Sequence, residues 1–128
     1  MTTDNKTTTN LQTLLAQPPA SFVWSSSEDG RRTIGTTVGC VCDIWEDHIE
    51  LAAIFPNDDL ALARRNGTLM LLVLCALRPE WDRAADWLKL QLGLAKKAKV
   101  AHEGTHYGQR VTFTFMRQNS RASLKVKL

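Results

Sequence analysis

Apolar and polar positions along the 128-residue chain follow two periods, and each predicts a different kind of element. Residues 110–117 alternate strictly, with Val111, Phe113 and Phe115 to one side and Thr112, Thr114 and Met116 to the other. Residues 122–128 repeat the pattern, Leu124, Val126 and Leu128 inward, Ser123, Lys125 and Lys127 outward. A period of two marks a half-buried strand, so a C-terminal hairpin turning at 118–120 is predicted. Between 80 and 94 the period changes: Trp81, Ala84, Ala85, Leu88 and Leu92 recur at helical spacing, Trp87, Leu90 and Leu94 widen the stripe, and Gly93 stands where a C-terminal cap belongs. Upstream, the nine apolar residues 69–77 end at Arg78 and Pro79, and a proline suits the first turn of a new helix.

The N-terminal half reads as strands. Residues 21–25 carry Phe22 and Trp24 on one side, and Glu28, Asp29 and Gly30 supply a turn. Residues 33–45 are rich in Thr, Val and Ile and are read as a single strand with Cys40, Cys42 and Ile44 on one face, Gly35 and Gly39 marking a bulge or a close backbone approach. Glu46 and Asp47 turn the chain into a third strand over 48–55. A short helix capped by Asn57 or Asp58 and closed by Asn66 and Gly67 follows, and 101–109 is read as a Gly-containing loop. Leu11, Leu14 and Leu15 form a docking turn stopped by Pro18 and Pro19, while the Thr/Asn-rich residues 1–9 make a flexible tail.

These elements define the expected fold class: α+β, an N-terminal three-strand antiparallel meander plus a C-terminal hairpin, with two or three helices on one face. With 44% hydrophobic residues, 10–128 is expected to be a single domain. The apolar run falls well short of the roughly 20 residues a span requires. Neither a transmembrane segment nor a secretory signal is expected, and three cysteines make no disulfide framework, so the expected setting is cytoplasmic. Cys75, inside the apolar run, is expected in the core.

Charge changes this picture. Residues 1–88 hold 7 Lys and Arg against 12 Asp and Glu, a net of −5, whereas 89–128 hold 9 against Glu103 alone, a net of +8. A basic end points to a polyanion or an acidic partner. On the outer side of the terminal hairpin Arg110, Arg121, Lys125 and Lys127 can meet phosphates, Lys96, Lys97 and Lys99 would extend that patch, and Tyr107 and His106 are the rings left for stacking. The expected function is therefore a non-enzymatic nucleic-acid-binding domain without a cofactor. The alternative is a protein-interaction or homodimerising module, with Trp45 and Trp87 as partly exposed interface residues and an acidic protein or a second copy as partner.

Two patterns suggest metal or nucleophile chemistry. His102-Glu103-Gly104-Thr105-His106 spells H-E-x-x-H, which on a helix grips zinc through two imidazoles while the glutamate activates water. It resembles the zinc metalloprotease motif over these residues alone. No helix is expected there, and no His, Asp or Glu follows His106 to supply a further ligand. Cys40 and Cys42 could join the two histidines as a C-x-C and H-x₃-H zinc set, and Cys40 with His48 could pair as nucleophile and base, but core packing accounts for the cysteines more simply. A phosphate loop of the G-K-[ST] kind is absent.

Overall fold

The computed structural model describes residues 3–18 and 20–128, with side chains from Thr8 onward. Helix α1 (Thr3–Ala16) leads into strands β1 (Val23–Ser26), β2 (Thr33–Thr37), β3 (Cys40–Ile44) and β4 (His48–Ile54). Helices α2 (Leu60–Leu77) and α3 (Ala84–Lys97) then precede β5 (Ala101–His106), β6 (Val111–Met116) and β7 (Arg121–Lys127). All seven strands form one antiparallel sheet in the order β1-β2-β3-β4-β7-β6-β5, so the meander and the terminal strands join where β4 pairs with β7. This is the α+β class the pattern predicts.

One face of the sheet is the floor of the core. A single rung crosses it as Trp24, Gly35, Cys42, Leu51, Leu124, Phe113 and Gly104. Leu69, Met70, Val73, Leu74 and Leu77 of α2, Leu88 of α3 and Leu11 and Leu15 of α1 close over it. The opposite face carries a rung of Ser25, Ile34, Asp43, Glu50, Lys125, Thr112 and Thr105, each of them half-buried or exposed. Alternation along each strand thus sorts the sheet into a dry side and a wet side.

The structure corrects several expectations, each for a local reason. The single strand expected over 33–45 is two, because Gly39 at φ +69° turns the chain between β2 and β3. The turn reverses the phase, so Gly35 faces the core while Ile34 and Thr36 face outward. The helix expected to end at Asn66 and Gly67 runs through them to Leu77 and is capped by Asp59, whose carboxylate accepts from the Leu62 N–H (3.1 Å). Asn66 is fully buried, and its Nδ2 donates to the carbonyls of Ile54 (2.8 Å) and Gly39 (3.2 Å). Its Oδ1 accepts from Arg65 Nη2 (2.9 Å) and Nε (3.2 Å), and Arg65 Nη2 also donates to the Val38 carbonyl. A residue type that often stops helices is kept mid-helix here by tertiary bonds.

Residues 79–83 form turns, and α3 starts at Ala84 and passes Gly93 to end at Lys97. Its buried stripe is Ala84, Leu88, Gln91 and Ala95, while Leu90 and Leu94 are 58% and 42% exposed. The 101–109 segment is strand β5 followed by a 3₁₀ turn. Cys75 is exposed, on the side of α2 away from the sheet. Of the expected N-terminal tail, residues 3–9 belong to α1, whereas Met1, Thr2 and the stop residue Pro19 lie outside the described residues. Among the described helices α2 has the length and composition of a span, at mean hydropathy 1.5, and its Asn66, Leu69, Met70, Val73, Leu74 and Leu77 are buried against its neighbours.

Candidate functional site

The seven basic residues singled out from the sequence fall into two groups. Strand β7 carries Arg121 at its start and Lys127 at its end, separated by about 20 Å at the usual rise per strand residue. Arg121 pairs across with Met116 and Ile54. At that same end of the sheet, Arg117 binds the C-terminus of α3, its Nη2 donating to the carbonyls of Ala95 (2.8 Å) and Lys96 (2.8 Å) and its Nε to that of Ala98 (3.1 Å). Lys96, Lys97 and Lys99 are therefore held near Arg121 and away from Lys127. They do not extend a patch around the end of β7.

The second group converges. Arg110, Lys125 and Lys127 line a groove of ≈350 Å³ with Thr105, Tyr107 and Thr112. The antiparallel register places Thr105, Thr112 and Lys125 on one outward rung, and β5 turns back into β6 through a 3₁₀ turn that presents Tyr107, 86% exposed. Arg110 closes the turn in the left-handed region at φ 57°, and its carbonyl accepts from the Lys127 N–H (3.0 Å), tying the turn to the end of β7. Arg78, which follows α2, supports the groove from behind: its Nε donates to the Gln109 carbonyl (3.0 Å) and its Nη2 to the Lys127 carbonyl. Partial burial, and then the charge of Arg110, lower the Arg78 pKa from its ordinary value.

The groove is positive but bordered by acid. Lys125 stands across from Glu50, which accepts from Ser123 Oγ (3.0 Å). The His48 imidazole, foremost, and Lys125 to a smaller degree hold the Asp47 carboxyl below the usual carboxylate range. Among the described residues no carboxylate lines the groove itself. It can take an anion backbone beside a flat aromatic surface. Thr112 and Tyr107 were legible as outward or uncommitted residues; Thr105 was missed because 101–109 reads as a loop, and Arg78 because a basic residue just past an apolar run reads only as the end of a helix.

The tryptophans named as interface residues are both half-buried. Trp45 lies on the outer face, stacked on His48 (5.8 Å between centroids), with the Arg32 guanidinium 5.1 Å from its ring centre. Trp87 packs with Trp81 and His106, and the His106 ring sits 4.5 Å from that of Trp81.

The H-E-x-x-H residues lie on β5, a strand. Their period is therefore two: Glu103 faces outward, and the imidazoles share the inner face about 13 Å apart. Zinc ligands lie about 2 Å from the ion, which this spacing does not permit for the pair. His102 Nε2–H donates to Gln91 Oε1 (2.7 Å), and His106 belongs to the tryptophan cluster. Cys40 and Cys42 are on β3, separated from β5 by β4, β7 and β6, or about 19 Å at the usual strand spacing. No group of three or more His, Cys, Asp or Glu residues gathers at a metal-binding distance among the described residues. Cys40 faces the core and pairs with Ala53 at one end of the β3–β4 hairpin, whereas His48 faces outward at the other, so they cannot act as nucleophile and base.

Burial sets the thiol chemistry. It pushes the Cys40 thiol up to about 12 and raises Cys42 further, with Cys40 and Asp43 adding to the effect on Cys42. At neutral pH iodoacetamide is expected to modify Cys75 alone in the folded protein, Cys40 and Cys42 reacting only once denaturant is added. Peptide mass mapping before and after unfolding checks this, and native labelling of Cys40 would contradict the closed core. Compared with protein-family models, with curated proteins and with solved structures, the chain matches none.

Proposed function

We propose that this protein is a non-enzymatic domain that binds single-stranded nucleic acid in the groove of Arg110, Lys125 and Lys127. The observation that carries the reading is the convergence of these cations around the exposed ring of Tyr107, with no carboxylate in the lining among the described residues. Lys and Arg give backbone affinity without sequence information, and an open aromatic face gives each base a stacking surface. Of the seven cations expected from the sequence, Arg110, Lys125 and Lys127 line the groove. Arg78 holds the turn and the strand end in register, and the threonines offer hydroxyls to phosphate oxygens.

Fluorescence anisotropy with labelled oligo(dT) and oligo(U) across a salt series tests this. Three backbone contacts predict a log–log salt slope of about −2 for a single strand. Lys125→Glu with Lys127→Glu should abolish binding, and Tyr107→Ala should weaken it by about 1–3 kcal/mol. Lys96→Glu with Lys97→Glu should leave it within about twofold, because those lysines lie at the other end of the sheet. No binding at low salt, or equal losses from the two lysine pairs, would overturn the assignment.

A further inference from the structure

We infer that the cleft between α2 and α3 is a binding site for a fatty carboxylate. The cleft lies on the core side of the sheet, toward the Phe115 end of β6, and is separate from the nucleic-acid groove beside Val111 and Thr112. Its volume is ≈400 Å³, within the range of small-molecule sites. Phe55, Leu60, Leu92 and Phe115 supply an apolar lining, and Arg64, Lys96 and Arg117 stand at its rim.

Three observations select the ligand class. Among the described residues no carboxylate lines the cleft, and neither Arg64 nor Lys96 has an ionic partner. Arg117 is already engaged at the end of α3 and over the Phe115 ring, so it holds the wall while the other two cations face solvent. An apolar lining below free cations matches a chain with an anionic head. Leu60 is 62% exposed at the mouth, an apolar surface that an acyl chain would cover.

Gly67 supplies the third observation. It lies in the interior of α2 on the cleft wall, where glycine weakens a helix by roughly 0.5–1 kcal/mol relative to alanine. A Cβ there would meet Phe55 Cε1 at 3.8 Å and Leu92 Cδ1 at 4.0 Å, ordinary contact distances. Packing of the helices therefore does not require glycine. What its missing side chain does is keep the space between Phe55 and Leu92 open.

Isothermal titration with sodium decanoate below its micellar concentration tests the site, with decyltrimethylammonium as a control of the same chain length and opposite charge. One decanoate per chain is expected, with the cation binding at least about tenfold more weakly. Gly67→Leu fills the cleft and should abolish binding. Arg64→Glu with Lys96→Glu, both on exposed positions and safe for the fold, should weaken decanoate by at least about tenfold and reverse the preference for the anion. Circular dichroism confirms that each variant is folded. The inference is overturned if decanoate does not bind, if both surfactants bind alike, or if folded Gly67→Leu keeps the parent affinity. Oligonucleotide binding is unaffected by any of these outcomes, so the two readings fail separately.

Discussion

Replacing Asn66 with leucine is expected to destabilise the fold by about 2 kcal/mol, since a buried polar group left without a partner costs about 1–3 kcal/mol. Asn66 is fully buried in the middle of α2, and its amide donates to the carbonyls of Gly39 and Ile54. Leucine is a better helix former, but these propensity gains are at most about 0.7 kcal/mol. They do not offset an Ile54 carbonyl left dry, a second bond lost at the Gly39 carbonyl, which keeps the Ile54 N–H, and an Arg65 guanidinium deprived of its Oδ1 acceptor. The damage should be local to the β2–β3 turn and the end of β4, which α2 holds through these bonds. Urea unfolding followed by tryptophan fluorescence measures the loss, and amide exchange should show Ile54, whose N–H donates to the Gly39 carbonyl (3.0 Å), losing protection first. A loss under about 1 kcal/mol would mean that water replaces Asn66 at the Ile54 carbonyl.

Gly104→Ala is the second large effect, expected at about 2 kcal/mol as an overpacked contact. A Cβ on Gly104 would stand 1.9 Å from Gln91 Oε1 and 2.5 Å from its Cδ, so the Gln91 side chain must leave its slot. Leaving breaks the bond with His102 and moves a buried polar group that is 6% exposed. Alanine in a strand recovers roughly 0.5–1 kcal/mol over glycine, which reduces the net cost without cancelling it. A double-mutant cycle isolates the contact. With Gln91→Ala already in place, Gly104→Ala should be neutral or stabilising, a coupling of at least about 1 kcal/mol between the two positions. If Gly104→Ala costs the same in both backgrounds, the clash is not the cause.

These two residues also show why parts of the fold were hidden in the sequence. Gln91 reads as a polar interruption beside Leu88 and Leu92, and the periodic stripe turns it outward in favour of Leu90 and Leu94. Only when Gly104 is placed beneath α3 does the inward glutamine have a slot and His102 a partner. Asn66 and Gly67 carry the local signature of a helix end, which bonds from residues 27 and 12 positions away override. The β2–β3 turn was missed because Gly39 can mark either a bulge or a reversal, and local spacing does not separate the two.

The candidate sites divide in the same way. Lys125 and Lys127 are legible as outward from strand alternation alone, and Tyr107 as an aromatic without a core position. Their meeting with Arg110 depends on the β5–β6 turn lying against the end of β7, a contact between backbone groups at 110 and 127. Lys96 is equally basic in sequence, but the Arg117 bonds to the end of α3 place it at the opposite end of the sheet, on the rim of a different cavity.

What the chain determines by itself is the class of fold, the inward faces of β6 and β7, the excess of positive charge after residue 88 and the absence of a helical setting for H-E-x-x-H. Local patterning suffices for these, because side-chain alternation and charge follow directly from residue order. Tertiary structure alone decides the pairing of β4 with β7, the inward turn of Gln91, the continuity of α2 through Asn66 and Gly67, and which cations share a groove. Each of those depends on a partner distant in sequence, and the free energy of a buried hydrogen bond or an excluded side chain exists only once that partner is in place.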